Sequence, residues 1–127
     1  MILPILTIPT PSLRDRSKEV TRDFVLEPNT QAYIKDLIIT MYDDDGIGIA
    51  SPQVGKNIRI CIIGREATTN KKKDLVLVNP VWTKTSRKTD WDTEGCLSVP
   101  KFYGKVKRYT TIHVNALDEQ GNPISFE

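Results

Sequence analysis

The sequence predicts an α+β fold, and three observations support that class. At 127 residues and 39% hydrophobic content, the chain is long enough for one core and too short for two. One segment near residue 30 has the apolar spacing of a half-buried helix, and several segments beyond residue 58 are short and β-branched. Internal repeats and low-complexity segments are both absent. We therefore expect residues 1–127 to form one domain, with a helix packed against small antiparallel sheets.

The N-terminal quarter of the chain contains a proline-rich arm followed by the predicted helix. Prolines interrupt residues 1–28, so that segment is expected to be irregular and to pack on the domain. Asn29 or Thr30 supplies a helix cap, and the next residues have apolar side chains at three- and four-residue spacing. The helix is predicted over residues 30–42. Its buried face consists of Ile34, Leu37, Ile38 and Met41.

The rest of the chain is dominated by predicted strands. Residues 58–63 and 75–79 are β-branched and are expected to pair as antiparallel neighbours across a polar loop, whereas residues 80–87 alternate less cleanly. From Lys105 one long strand is predicted through residue 117, with Ile112, Val114 and Ala116 on one face. A turn at "DEQGNP" then leads to a final short strand at 124–126.

Charge and hydropathy exclude several classes of function. The net charge is only +2, and the run "KKK" at 71–73 is typical of a solvated loop. Lys105, Lys107 and Arg108 form a second basic cluster, but they lack interleaved aromatic residues along the strand, so no nucleic-acid partner is expected. The stretch "MILPILTIP" is short and is broken by Pro4, so it is neither a signal peptide nor a membrane span. The expected location is the cytoplasm.

The two cysteines call for different explanations. A chain without a secretion signal usually keeps its thiols reduced, and Cys61 in "IRICIIG" fits a small core residue. Cys96 follows Gly95 in "EGCLS", where a thiolate could act as a nucleophile or a metal ligand. Nothing in the sequence ties the single histidine, His113, to Cys96 as a base, so the metal-ligand role is favoured. One thiolate does not hold a catalytic metal, which usually takes three protein ligands.

A glycine-rich stretch, "GIGIASPQVG", follows the predicted helix. Its glycines permit a close approach of backbone, and Gln53 offers both a donor and an acceptor to a polar ligand. The stretch is not a dinucleotide fingerprint, because a helix precedes it and Pro52 follows. Taken alone, the stretch is better explained as an ordinary glycine loop with a surface glutamine.

Together, "GIGIASPQ" at 46–53 and "EGCLS" at 94–98 resemble the first two signature motifs of the peptide deformylases. The segments "ILTIPTPSLR", "LVNP" and "ALDEQGNPI" are also similar to that family, so the resemblance covers essentially the whole chain. Ser51 stands where the family usually has alanine. The resemblance implies a metallo-hydrolase that removes the N-formyl group from the initiator methionine of nascent peptides, usually with iron(II); zinc, nickel or cobalt would also suit the ligands.

The resemblance also implies roles for particular residues. Cys96 matches the family's first metal ligand, while Gln53 and the backbone N–H of Leu97 would stabilise the oxyanion. The backbone at Gly46, Ile47 and Gly48 would pair with the substrate peptide as an added strand. Tyr103 and Phe102 would line a pocket for the methionine side chain, although loop packing explains them equally well. We further predict that Glu94 pairs with Arg108 and so holds the second motif in place.

The chain departs from the family at its third motif, H-E-x-x-H, which is absent from residues 1–127. Two histidine ligands and the general-base glutamate are therefore missing, as is the C-terminal metal-binding helix that carries them, and His113 does not replace them. We expect a C-terminally truncated deformylase whose natural mass exceeds 14.4 kDa and whose 127-residue form binds metal weakly and turns over little. The alternative is an inactive homologue that only binds peptides. The expected partners are N-formylmethionyl nascent peptides and the ribosome, in a bacterial, phage-infected or organellar setting.

Overall fold

A computed structural model describes residues 1–68 and 72–127 of the chain. Two α-helices precede two antiparallel sheets, so the α+β prediction is confirmed. The predicted loop between residues 63 and 75 falls partly outside the described residues, as does Lys71 of the "KKK" run. The elements are α1 (Arg22–Leu26), α2 (Pro28–Asp43), β1 (Gly48–Ala50), β2 (Ile60–Ile63), β3 (Leu75–Lys84), β4 (Thr89–Cys96), β5 (Val99–Tyr109), β6 (Ile112–Leu117) and β7 (Pro123–Phe126).

The helices differ from the prediction at the start. Helix α2 begins at Pro28, two residues before the predicted start, because proline is well suited to the first helical turn. The arm is not wholly irregular, since it contains α1 and a 3-10 turn at Pro11–Arg14. Thr21 caps α1 by accepting a hydrogen bond from Phe24 N at 3.1 Å. With only five residues, α1 is too short for an apolar period to reveal it.

The larger sheet has five antiparallel strands in the order β1-β2-β3-β6-β7. The predicted pairing of the second and third strands is confirmed, with Ile60 opposite Val78. The predicted strand at 58–63 is shorter than expected, because Ile58 forms only an isolated bridge with Lys18. Strand β3 continues past Pro80 to Lys84, through a register shift between Val78 and Val81. A bulge of this kind accommodates a proline, which cannot donate to the ladder.

The two faces of this sheet bury different apolar clusters. Helix α2 covers one face, where Leu37 and Met41 pack with Ile60, Ile62 and Val78. The other face carries Ile112, Val114 and Ala116, which the alternation in the sequence puts on one side of the strand. Its buried members are Leu77, Val114 and Ala116, with Cys61, Ile63, Leu75, Ile112, Ile124 and Phe126 packed against them.

The smaller sheet contains only β4 and β5. The single strand predicted from Lys105 to residue 117 is wrong: the chain leaves one sheet after Tyr109 and enters the other at Ile112. The two sheets meet at this crossing, where Thr110 N donates to Lys88 O (3.0 Å) and Thr85 N donates to Thr111 O (3.1 Å). Residues 105–117 contain neither proline nor glycine, so the sequence has no turn signal at the change of partner. Strand β4 has no apolar alternation that would predict it, because Trp91 is its one large apolar residue.

Among residues 1–68 and 72–127, the structure contains no helix with both the length and the apolar character needed to cross a membrane.

Candidate active site

The two sequence motifs meet at one cleft of about 590 Å³. One wall comes from the end of α2 and the start of β1, and the other comes from the turn between β4 and β5. All of the predicted site residues except Glu94 and Arg108 contribute to the lining, together with several residues that were not predicted. The lining residues are Asp44, Asp45, Gly46, Ile47, Gly48, Gln53, Gly95, Cys96, Leu97, Val99, Pro100, Lys101, Phe102 and Tyr103.

The first wall begins where α2 ends. Gly46 N donates to Met41 O (2.8 Å) and Asp45 N donates to Tyr42 O (3.2 Å), the hydrogen bonds of a Schellman motif. Asp45, with φ of 55°, takes the left-handed position that glycine usually occupies. Gly46 is needed for a different reason. A Cβ on Gly46 would lie 2.8 Å from Leu97 Cδ1 and 3.3 Å from Met41 O, so glycine lets the two motifs come into contact.

The Gln53 side chain joins the two motifs directly. It lies in a 3-10 turn, Ser51–Val54, that follows β1. Ala50 N donates to Gln53 Oε1 at 2.9 Å, which directs the amide nitrogen away from β1. Gln53 Nε2 then donates to Cys96 Sγ at 3.6 Å and to Ser98 Oγ at 3.3 Å. The carboxamide is therefore oriented by the Ala50 N–H donor at its oxygen and by two acceptor atoms of the second motif at its nitrogen.

Ser51 fastens this turn to helix α2. Its hydroxyl is fully buried and donates to Lys56 O at 2.7 Å. A serine hydroxyl has one proton, so the 2.6 Å bond between Ser51 Oγ and Tyr33 Oη must use the tyrosine proton. Burial raises the pKa of Tyr33, which favours the protonated donor. The residue that departs from the family pattern thus belongs to a directional chain from Tyr33 through Ser51 to Lys56.

The second motif lies at the end of the small sheet. Cys96 is exposed at the last position of β4, and Leu97 follows it in the turn. Arg108 pairs with Glu94 across the sheet through two hydrogen bonds of 2.6 Å, from Nε to Oε2 and from Nη2 to Oε1. This bidentate contact lowers the pKa of Glu94 and raises that of Arg108. In the ladder Glu94 lies opposite Gly104 and Arg108 lies opposite Asp90, so the ion pair runs diagonally along one face of the sheet and braces β4 against β5 just before Cys96.

The N-terminal arm contacts both motifs. Leu6 N donates to Gln53 O at 2.7 Å, and Ile8 N donates to Ser98 O at 3.0 Å. Both donors are backbone groups, separated by one residue in the arm. The arm therefore fixes the distance between two motifs that lie more than 40 residues apart in the chain.

The described residues do not complete a catalytic metal site around Cys96. In residues 1–68 and 72–127, no three side chains from His, Cys, Asp and Glu come together at a distance suited to a metal ion. Cys96 is the thiol at the cleft, whereas Cys61 lies on the larger sheet and His113 Nε2 is 2.7 Å from Ser125 Oγ on β7. A catalytic metal usually takes three protein ligands, so these donors do not form such a site by themselves.

Comparison with known proteins identifies the family. A sequence model described as polypeptide deformylase matches residues 2–127. The protein named peptide deformylase 2 of Vibrio vulnificus (strain CMCP6) is 45% identical over 127 residues, which cover 99% of this chain and 71% of that protein. The chain belongs to the peptide deformylase family. The resemblance of the two motifs is thereby confirmed, and with it membership of a family of hydrolases.

Solved deformylase structures share the fold. The peptide deformylase of Legionella pneumophila has a TM-score of 0.87 and 37% identity, with 99% of this chain and 71% of that chain covered. A class I type b peptide deformylase from Acinetobacter baumannii has a TM-score of 0.91 at 28% identity, with coverages of 99% and 82%. A probable peptide deformylase from Synechococcus phage S-SSM7 has a TM-score of 0.84 and 33% identity, with coverages of 98% and 82%.

Sequence reasoning missed several groups around the deformylase cleft. Ser98 lies within the second motif, yet no role was assigned to it, because its buried hydroxyl becomes relevant only when Gln53 folds against it. Tyr33 was not singled out, although its spacing puts it on the buried face of α2. The contacts of Leu6 and Ile8 use backbone atoms alone, so no side-chain signal exists that could have indicated them.

Proposed function

We propose that the protein is a peptide deformylase that hydrolyses the N-formyl group of N-formylmethionyl peptides. The observation that carries the proposal is the Gln53 carboxamide, which is held by Ala50 N–H and directed at Cys96 and Ser98. An amide N–H donor fixed beside a thiolate ligand suits a carbonyl that becomes an oxyanion. The relatives named above are deformylases, which favours this function over an inactive peptide-binding homologue.

Gln53 and Leu97 would stabilise the transition state from two sides of the formyl carbon. Gln53 Nε2 would donate to the developing oxyanion, and the Leu97 backbone N–H, in the β4–β5 turn, would supply a second donor. Preorganised donors of this kind contribute roughly 3–4 kcal/mol each to transition-state stabilisation. Removing the Gln53 amide should therefore lower the rate by about 100-fold or more while leaving the fold intact.

The substrate backbone would lie along β1. This strand is at the edge of the larger sheet and pairs only with β2 among the described strands. Its outer edge is free to hydrogen-bond with an extended peptide, as edge recognition commonly requires. Ile47, exposed at the rim, and Tyr103 across the cleft would contact the methionine side chain, with Phe102 beside them.

Cys96 would be this chain's ligand to the metal, for which iron(II) is the first candidate on the family resemblance. When bound, the metal would supply an activated water for attack on the formyl group. The described residues bring no three metal-donor side chains together, so they do not complete a catalytic metal site. The 127-residue chain should bind iron(II), zinc or nickel weakly, and a metal titration that gives one tight equivalent per chain would contradict that expectation.

The natural substrates would be nascent chains that begin with formylmethionine, met in the cytoplasm near the ribosome. These partners follow from the family resemblance. A backbone-reading edge strand with few side-chain contacts suits substrates that share only their first residue.

The deciding experiment measures binding and turnover separately. Isothermal titration compares an N-formylmethionyl tripeptide with the same tripeptide lacking the formyl group, on the original protein and on Gln53→Ala. Formyl-selective binding that Gln53→Ala abolishes is expected, and equal binding of both peptides would overturn the proposal. Formate release is then assayed anaerobically with added iron(II), with Cys96→Ala as the control. Lys35→Ala, an exposed change on α2 away from the cleft, controls for nonspecific effects.

A further inference from the structure

The β4–β5 sheet separates its side chains into two chemically different faces. Cα pairing puts Trp91 opposite Lys107 and Thr89 opposite Tyr109, so these side chains share one side with Lys105, the partner of Thr93. The other side carries Asp90, Asp92 and Glu94 with Arg108 and Val106. We call the first side the lysine-aromatic face and define it as Trp91, Lys105, Lys107 and Tyr109.

The lysine-aromatic face has positive charge and no carboxylate. The remaining pleat positions on that side of the described strands are Thr89, Thr93, Gly95 and Tyr103. No salt bridge to Lys105 or Lys107 forms among residues 1–68 and 72–127. All of the sheet's carboxylates lie on the opposite side, where Arg108 is already paired with Glu94. The segregation leaves both ammonium groups available to an external anion.

Exposed aromatic rings lie between and beside these charges. Trp91 is 65% exposed, and it lies directly across from Lys107 with Lys105 and Tyr109 diagonal to it. Trp82 of β3 extends the surface, because its ring centroid is 6.2 Å from that of Tyr109. Lys84 Nζ lies 5.3 Å from the Tyr109 ring centroid and adds a third cation. Large exposed aromatic surface of this kind marks an interaction site more often than packing.

We propose that the lysine-aromatic face binds single-stranded RNA without sequence preference. Ammonium groups along an extended strand neutralise successive phosphates, and aromatic rings between them stack on bases. The span from Lys105 to Tyr109 is about 13 Å at the usual rise per strand residue, enough for a short run of nucleotides. Tyr103 follows on the same side and lines the cleft, so the bound strand would run beside the active site.

The observations favour RNA over an anionic membrane or an acidic protein. Membrane-surface elements present a continuous apolar stripe, whereas here lysines and threonines separate the rings. A protein interface keeps charged residues away from the aromatic residues at its centre, whereas here Lys107 lies directly across from Trp91. The sequence expectation of no nucleic-acid partner rested on Lys105, Lys107 and Arg108 as one cluster without aromatics. The strand pairing puts Arg108 on the other side and brings Trp91 in from β4.

Fluorescence anisotropy with a labelled oligoadenylate RNA tests the proposal. Trp91→Ala should weaken binding roughly 5-fold or more, the loss expected for one stacked base, and Trp91→Tyr should retain most of it. Lys105→Ala and Lys107→Ala should each reduce the slope of log affinity against log salt by about 0.7. Phe102→Ala, an equally exposed aromatic on the opposite side, and Lys35→Ala should change neither quantity.

Several results would overturn the proposal. Among the variants, these are RNA binding by Trp91→Ala equal to that of the original protein, or a loss of RNA affinity in Phe102→Ala as large as in Trp91→Ala. Among the ligands, they are an affinity for polyphosphate as high as that for RNA, or binding to phosphatidylglycerol vesicles but not to RNA. Thermal unfolding checks that each variant folds. If Trp91→Ala does not fold, ultraviolet crosslinking of 4-thiouridine RNA to the original protein decides. Crosslinks at Trp91 or Tyr109 support the face, and crosslinks confined to other residues reject it.

Discussion

In both sheets of this deformylase-family chain, side chains alternate between the two faces, but the alternation serves a different purpose in each sheet. In the five-stranded sheet both faces bury apolar residues, one of them against α2. In the β4–β5 sheet nearly every side chain remains exposed or half-exposed, and the two faces differ in charge rather than in burial. Burial in the first sheet supplies the free energy of folding. The second sheet is free to carry chemistry, because few of its side chains are needed for the core.

The cysteines should show the largest difference between the sheets. Burial on the larger sheet raises the pKa of Cys61 to about 11, so at pH 8 only about one Cys61 thiol in a thousand is ionised. Cys96, at the end of the smaller sheet, is exposed. In metal-chelating buffer, iodoacetamide should label Cys96 within minutes and leave Cys61 largely unmodified, as read by peptide mass spectrometry. The Cys61 rate should climb as pH increases to 10; comparable labelling of both thiols at pH 8 would contradict the comparison.

Stability should respond to changes in one sheet's core far more than to changes in the other sheet. Leu37 on α2 is 0% exposed against the larger sheet, so Leu37→Ala should lower the free energy of unfolding by about 3 kcal/mol. Trp91→Ala on the smaller sheet should lower it by less than about 0.5 kcal/mol, as for surface changes generally. Urea unfolding measures both. A cost for Trp91→Ala near that of Leu37→Ala would show that the small sheet is part of the core.

Two glycines, Gly46 and Gly104, test the contact between the larger sheet's side of the cleft and the smaller sheet. Gly46→Ala would put a Cβ 2.8 Å from Leu97 Cδ1 and 3.3 Å from Met41 O, so the Leu97 side chain of the second motif must shift, at a cost of about 2 kcal/mol. Gly104→Ala on β5 is the matched control, because its Cβ would meet nothing within 4 Å. Formyl-peptide binding and urea unfolding should both fall for the first variant and stay unchanged for the second. Identical behaviour of the two would mean that the contact between the motifs is dispensable.

The smallest expected effect concerns the hydroxyl chain on the larger sheet's side of the cleft. Tyr33→Phe and Ser51→Ala should each lower the free energy of unfolding by about 1 kcal/mol, and the double variant should cost less than the sum. The amide of Ala50, which donates to Gln53 Oε1, should exchange faster with deuterium in each variant. Additive losses of unfolding free energy, together with unchanged deuterium exchange at Ala50, would show that Tyr33 and Ser51 contribute only to packing and do not influence Gln53.

The larger sheet could be predicted from the sequence far better than the smaller one. Leu37 and Met41 have the helical period, and Ile60 and Val78 lie in β-branched runs, so the local pattern predicts that these residues are buried. Strand β5 shows the limit: neither proline nor glycine separates Tyr109 from Ile112, although the two residues belong to different sheets. Which strand pairs with which depends on contacts between distant segments, and a single period carries no information about them.

The site was predicted in the same uneven way. Gln53 and Cys96 could be chosen because their chemistry is visible in the residue type and the motif, and the Glu94 and Arg108 charges suggested their own pairing. The contributions of Ser98, Tyr33 and the arm to the site could not be predicted from the sequence. Their contributions depend on which buried acceptor or donor folds next to them, and that is a property of the tertiary structure.

The N-terminal arm contacts both motifs through its backbone, and this restricts the residues that it can accept in an unusual way. Leu6 and Ile8 act through backbone N–H groups, which every residue except proline possesses. A substitution of Leu6 or Ile8 by a residue other than proline therefore keeps the backbone donors to Gln53 and Ser98. Proline at position 6 or 8 is the exception, because it deletes a donor, and the prolines that the arm does carry nearby, Pro4 and Pro9, avoid both positions.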